Sequence, residues 1–91
     1  MLQNLFTKHP YGNLQVDFIR IVSDLVEIEI TIYPVEEGSE LESKLLSMVA
    51  EINGTFPMLE FEPGTLMCDS LAIAALLIRS SGKEDLLGSN L

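Results

Sequence analysis

The sequence predicts an α/β domain: a mixed four-stranded sheet with helices on both faces, in the order β-α-β-α-β-β-α. Three observations carry this. Polar residues recur at helical spacing from Asn13 to Glu27, after which the chain alternates strictly, apolar with polar, as far as Tyr33. A capping box at Ser39 and Glu42 opens a second helical stretch. Two short apolar runs then flank Pro63-Gly64, and a third helical stretch follows them.

Met1 to Lys8 contains Leu2, Leu5 and Phe6 and reads as a first strand. His9-Pro10-Tyr11-Gly12-Asn13 forms a turn, because proline fixes φ, glycine permits positive φ, and asparagine bonds to its own backbone. Asn13, Asp17, Arg20, Asp24 and Glu27 mark one polar stripe of a helix over about 13–26, whose remaining circumference carries Leu14, Phe18, Ile21, Val22 and Leu25. From Glu27 to Tyr33 the isoleucines at 28, 30 and 32 share one face and acids or threonine the other, which predicts an edge strand ended by Pro34. After the capping box, Leu41, Leu45, Met48, Val49 and Ile52 form an amphipathic helical stripe, stopped by Asn53-Gly54. Met58-Leu59-Glu60-Phe61 and Thr65-Leu66-Met67-Cys68 are hairpin partners. Asp69 or Ser70 caps a final helix, Leu71 to Ile78, which Gly82 ends. The first β-α-β segment supplies a parallel pair, and the hairpin adds antiparallel strands.

Composition narrows the function. With 91 residues there is room for one core, and 47% hydrophobic content excludes a disordered segment. Fourteen acidic residues against five basic give a net charge of -9, which opposes binding to nucleic acid or to an anionic membrane surface. One cysteine rules out an internal disulfide, a CxxC redox pair and a Cys-rich metal site, so a thioredoxin-like oxidoreductase activity is not expected. The default expectation is an acidic, cytoplasmic domain with no metal.

Residues 54–79 resemble the second half of a glutathione transferase N-terminal domain, which has the thioredoxin-like fold. The resemblance rests on Phe56-Pro57 opening a strand, the Gly64 turn, the Asp69-Ser70 pair capping the next helix, and Ala72-Ile73 in its first turn. It implies a domain over 1–82, with 83–91 as a connector toward an all-helical domain. It also implies a cis proline at Pro57, with the backbone of Phe56 facing the cysteinyl part of glutathione. Asp69 and Ser70 would then hold the γ-glutamyl end at a helix N-terminus. The same two residue types are ordinary helix caps. Glutathione is thus the one ligand that the resemblance suggests.

Catalysis is not expected. A transferase needs a hydroxyl or thiol near the end of the first strand to stabilise a thiolate. There Thr7 and Tyr11 are the available donors, His9 stands alone in a turn, and neither donor sits in a convincing motif. Cys68 lies in an apolar strand and reads as inert. Leu5 to Lys8 and Leu86 to Ser89 are similar to the gamma subunit of translation elongation factor 1 and to glutathione transferase-like appendages of aminoacyl-tRNA synthetase complexes. That similarity implies a protein-interaction module of a translation complex, with the glutathione-binding half of a transferase as the alternative. The final helix has no polar residue from Leu71 to Ile78, so its outer positions, assigned to Leu71, Ala74, Ala75 and Ile78, predict an apolar patch that, together with the neighbouring first helix, serves self-association or a protein partner.

Overall fold

The computed structural model describes residues 2–82. The connector assigned to 83–91 lies outside them. Strands β1 (Leu2–Thr7), β2 (Glu29–Pro34), β3 (Met58–Glu62) and β4 (Thr65–Met67) form one sheet in the order β2-β1-β3-β4. β1 runs parallel to β2 and antiparallel to β3, and β3 pairs antiparallel with β4. Helices α1 (Leu14–Val26) and α3 (Ser70–Ser81) share one side, and α2 (Glu40–Met48) belongs to the core on the other. The mixed sheet and its place in the chain order match the sequence-based expectation.

Two cores result. The larger joins Leu5, Ile19, Leu59, Ile73 and Leu77, all at most 1% exposed, and each such side chain contributes roughly 1.5–3 kcal/mol when removed from water. The smaller joins Val35, Leu45, Val49 and Met58 beneath α2.

Asn13 caps α1, its Oδ1 accepting from the N–H groups of Gln15 (2.9 Å) and Val16 (3.2 Å). Glu27, expected to open the second strand, instead closes α1 in a left-handed conformation at φ 60, so that strand begins at Glu29 and runs through Pro34. It does occupy the sheet edge. Ser39 Oγ accepts from the Glu42 N–H (3.1 Å), but the Glu42 carboxylate reaches back to the N–H of Gly38 (2.9 Å), one residue before the cap. Lys8, at the end of β1, bridges Glu42 (2.6 Å) and Glu37 and so ties the strand to the start of α2.

The helical stripe expected as far as Ile52 is shorter. α2 stops at Met48, a 3-10 turn covers Ala50–Ile52, and only Leu45 and Val49 of the expected stripe are buried. Asn53 in the left-handed region (φ 52) releases the chain toward β3.

The final helix also differs. Ala74 and Ile78, assigned to an outer face, are buried in the larger core. The cause is that α3 has two neighbours: Ile73 and Leu77 complete the core under the sheet, while Ala74 and Ile78 meet α1, the helix against which α3 makes most of its contact. Leu71 is exposed and Ala75 half-buried, as an outer face requires.

Candidate functional site

Two surfaces are built by this frame. The first is a cleft of about 710 Å³, within the usual range for small-molecule sites, between the 53–56 segment, the β4 end and the start of α3. Phe56, Asp69 and Ser70 line it, with Gly54, Thr55, Met67 and Cys68 between them. Pro57 follows Phe56 through a cis peptide bond, as the resemblance implied, and is itself fully buried. Three of the four sequence-assigned residues therefore converge on one cleft, and the fourth, Pro57, is outside its lining.

The local geometry has clear causes. Gly54 N–H donates to the Val49 carbonyl at 3.0 Å, folding the segment back onto the 3-10 turn. Asp69 is the residue that caps α3: its Oδ1 accepts from the N–H groups of Leu71 (2.8 Å) and Ala72 (3.3 Å). One oxygen of Asp69 is thus committed to the helix. Gln15, in the first turn of α1, and Phe61 also line the cleft. Neither was legible in the sequence, because only the crossover of α1 above the sheet brings residue 15 near residue 69.

The thiolate-stabilising candidates do not join them. Thr7 is 1% exposed, and its Oγ1 accepts from the His9 N–H at 3.2 Å. Tyr11 is 82% exposed, and its ring stacks under the Arg20 guanidinium, 5.7 Å from centroid to carbon. Neither they nor His9 line the cleft. Cys68 does, but burial pushes its thiol above the ordinary range, against a smaller opposing effect of a hydrogen bond from the Thr55 backbone. A thiol so placed stays protonated at neutral pH and is a poor nucleophile. Among the described residues, no cluster of three or more His, Cys, Asp or Glu side chains is placed to hold a metal ion. No described helix is long and apolar enough to cross a membrane.

A family model of the glutathione S-transferase N-terminal domain matches residues 16–84. The chain belongs to that family. The crystal structure of glutathione transferase Omega 2S from Trametes versicolor, in complex with 2,4-dihydroxybenzophenone, resembles it with a TM-score of 0.58 at 14% identity. The match covers 97% of this chain and 39% of that one, so this glutathione S-transferase N-terminal domain spans well under two thirds of that transferase. At such identity the likeness establishes the shared fold. A search of curated proteins finds no match.

The second surface lies on α1 and α3. In α1 the buried side is Val16, Ile19, Val22, Ser23 and Val26. Leu14, Phe18, Ile21 and Leu25 stand instead on a separate stripe facing solvent, with Leu14 86%, Ile21 59% and Leu25 60% exposed. Their spacing of four, three and four puts them on one line down the helix. Leu71 of α3, 71% exposed, continues the patch, and a groove of about 370 Å³ runs between the helices, with Ala74 and Ile78 among its walls. The apolar surface expected on the final helix and its neighbour is therefore carried mainly by the neighbour, α1. The sequence signal was present, since α1 carries more apolar residues than one sheet face can cover.

Proposed function

We propose that this glutathione S-transferase N-terminal domain works by docking an apolar partner on its α1–α3 face, as a non-catalytic module of a larger assembly. The carrying observation is the exposed line of Leu14, Phe18, Ile21 and Leu25 beside Leu71. Solvated apolar side chains scattered singly are ordinary, but a contiguous row of them on one helix marks an interaction surface. The absence of Thr7, His9 and Tyr11 from the cleft lining and the protonated Cys68 thiol further favour a binding role over thiol chemistry. A translation complex is the proposed setting, supported by the similarity of Leu5 to Lys8 and Leu86 to Ser89 to elongation factor 1 gamma and synthetase-associated domains.

The second reading is the glutathione-binding half of a transferase, favoured by the convergence of Phe56, Asp69 and Ser70 on one cleft. Calorimetric titration with glutathione, paired with an assay of conjugation to an aromatic electrophile, separates the two. Millimolar or absent binding with no turnover is expected. Micromolar binding, with turnover abolished by Tyr11→Phe, would establish the transferase reading instead.

A further inference from the structure

The two edges of the sheet are protected unequally. β4 is three residues long and its pairing with β3 carries a register shift, and both features blunt an edge. β2, at the other edge, runs six residues in unbroken register with β1. The N–H and C=O of one residue leave a strand on the same side, and that side alternates along the chain. Val35 N–H donates to the Thr7 carbonyl at 2.8 Å, so Glu29, Thr31 and Tyr33 bond toward β1 while Ile30, Ile32 and Pro34 turn their backbone groups outward. No strand among the described residues covers them. The outward run is bounded at both ends: Pro34 has no N–H, and the Ile28 N–H is held by the Ser23 carbonyl at 3.1 Å. What remains open is the N–H and C=O of Ile30 and of Ile32.

We infer that this edge pairs with β2 of a second copy of the chain, antiparallel about a twofold axis at Thr31, so that two four-stranded sheets become one continuous sheet. The register follows from the open groups. Centring on Thr31 sets Ile30 opposite Ile32 of the second copy and uses every open N–H and C=O, whereas an axis at Ile30 or at Ile32 leaves a carbonyl of each chain unpaired. The same register sorts the side chains. Ile30 and Ile32, which pack against the larger core, meet isoleucines. Tyr33, stacked on Phe6, lies on the opposite face with Thr31 and Glu29; there Thr31 meets Thr31, and Glu29 meets Tyr33 rather than another carboxylate. The groove above this edge, about 280 Å³, is walled by both signs of charge, Arg20 and Asp24 among them. A twofold axis reverses their order and presents Arg20 of each copy toward Asp24 of the other. Any extended strand can use the backbone groups; the self-matching order Glu29-Ile30-Thr31-Ile32-Tyr33 selects a second copy.

Sedimentation of the full 91-residue chain should show a reversible dimer at roughly 0.1–1 mM, because one six-residue edge is a contact well below about 1,200 Å². Association should strengthen as salt screens the net charge of -9 on each copy. Amide exchange at Ile30 and Ile32 should slow as concentration rises, while Thr31 and Tyr33, already bonded to β1, change little. Residue 31 faces itself only in this register. Thr31→Lys and Thr31→Glu should therefore each stay monomeric, since each sets like charges directly opposite, and an equimolar mixture should associate again. Thr31→Lys also reduces the net negative charge, so an effect of overall charge would strengthen its association instead. A parent chain that is monomeric at about 1 mM in about 0.5 M salt would overturn the inference. Dimerisation retained by both Thr31 variants would place self-association on another surface and overturn it too. Two folded variants whose mixture stays monomeric would exclude the axis at Thr31 and the inference with it. Where a variant fails to fold, exchange at Ile30 and Ile32 of the parent decides alone, and rates independent of concentration would overturn the pairing.

Discussion

Gly54→Ala is the substitution whose cost can be worked most fully from the structure. A Cβ at this position would lie 2.6 Å from Cys68 Sγ, 2.8 Å from Val49 Cβ and 2.9 Å from Val49 Cγ2. The sulfur can rotate away. Val49 cannot: its Cβ is fixed to the backbone, its β-branched side chain is only 4% exposed, and its carbonyl is held by the N–H groups of Ile52 (3.2 Å) and Gly54 (3.0 Å). Overpacking a filled core costs about 1–3 kcal/mol, and an immovable neighbour places this case at the upper end. Against it stands the lower chain entropy of alanine in the unfolded state, about 0.4–1 kcal/mol. The net expectation is a loss of about 2 kcal/mol, or a Tm lowered by roughly 8–16 °C in a domain of this size. Urea and thermal unfolding read it directly. Adding Cys68→Ala should recover only the smaller part, because Val49 still blocks the methyl. A Gly54→Ala chain as stable as the parent, or more so, would show that the 53–55 segment shifts freely and that the close approach imposes nothing.

Three further outcomes follow from the geometry. Asp69→Ala should cost about 1 kcal/mol by removing the cap on Leu71 and Ala72, and Asp69→Asn should restore most of it; equal loss in both would deny the cap. The Lys8 and Gly38 bonds hold the Glu42 carboxyl below its ordinary range, and Glu37 first, then Glu42, hold the Lys8 ammonium above its own. The Glu42 contribution is therefore complete above the free carboxyl value of about 4.3 and lost as pH falls through the lower folded value; the stability gap between parent and Glu42→Gln should be flat near neutrality and close in acid. A gap that widens in acid would contradict this sign. Cys68 should react with iodoacetamide more slowly than a small free thiol at pH 8 and gain the free rate in denaturant; fast labelling of the folded chain would refute a half-buried, protonated thiol.

The sequence carried most of the fold because its periods are local. The switch from helical to alternating spacing near Glu27, the Ser39 cap and the Pro63-Gly64 turn each act within a few residues, and each stands in the structure, with Gly64 at φ +80. Boundaries shifted where a backbone event outweighed side-chain pattern, as at Glu27, whose left-handed conformation ends α1, and at Val49, where α2 gives way to a 3-10 turn. Phe56, Asp69 and Ser70 were legible because they flank strand and helix ends, whereas Gln15 reaches the cleft only through packing over the sheet. Ile78 illustrates the remaining gap: hydropathy says that a side chain avoids water, and only the position of α1 decides whether a neighbouring helix supplies the cover.

The docking of an apolar partner on α1 and α3 is tested most directly by mapping amide chemical shifts of the full chain during titration with a synthetic peptide that carries a leucine stripe at helical spacing. Docking on this face should concentrate the shifts along Leu14 to Val26 and Leu71 to Ile78, the two elements that carry the apolar surface. Shifts confined to Gly54 through Phe56 and Cys68 through Ser70 would place recognition in the cleft instead and contradict it.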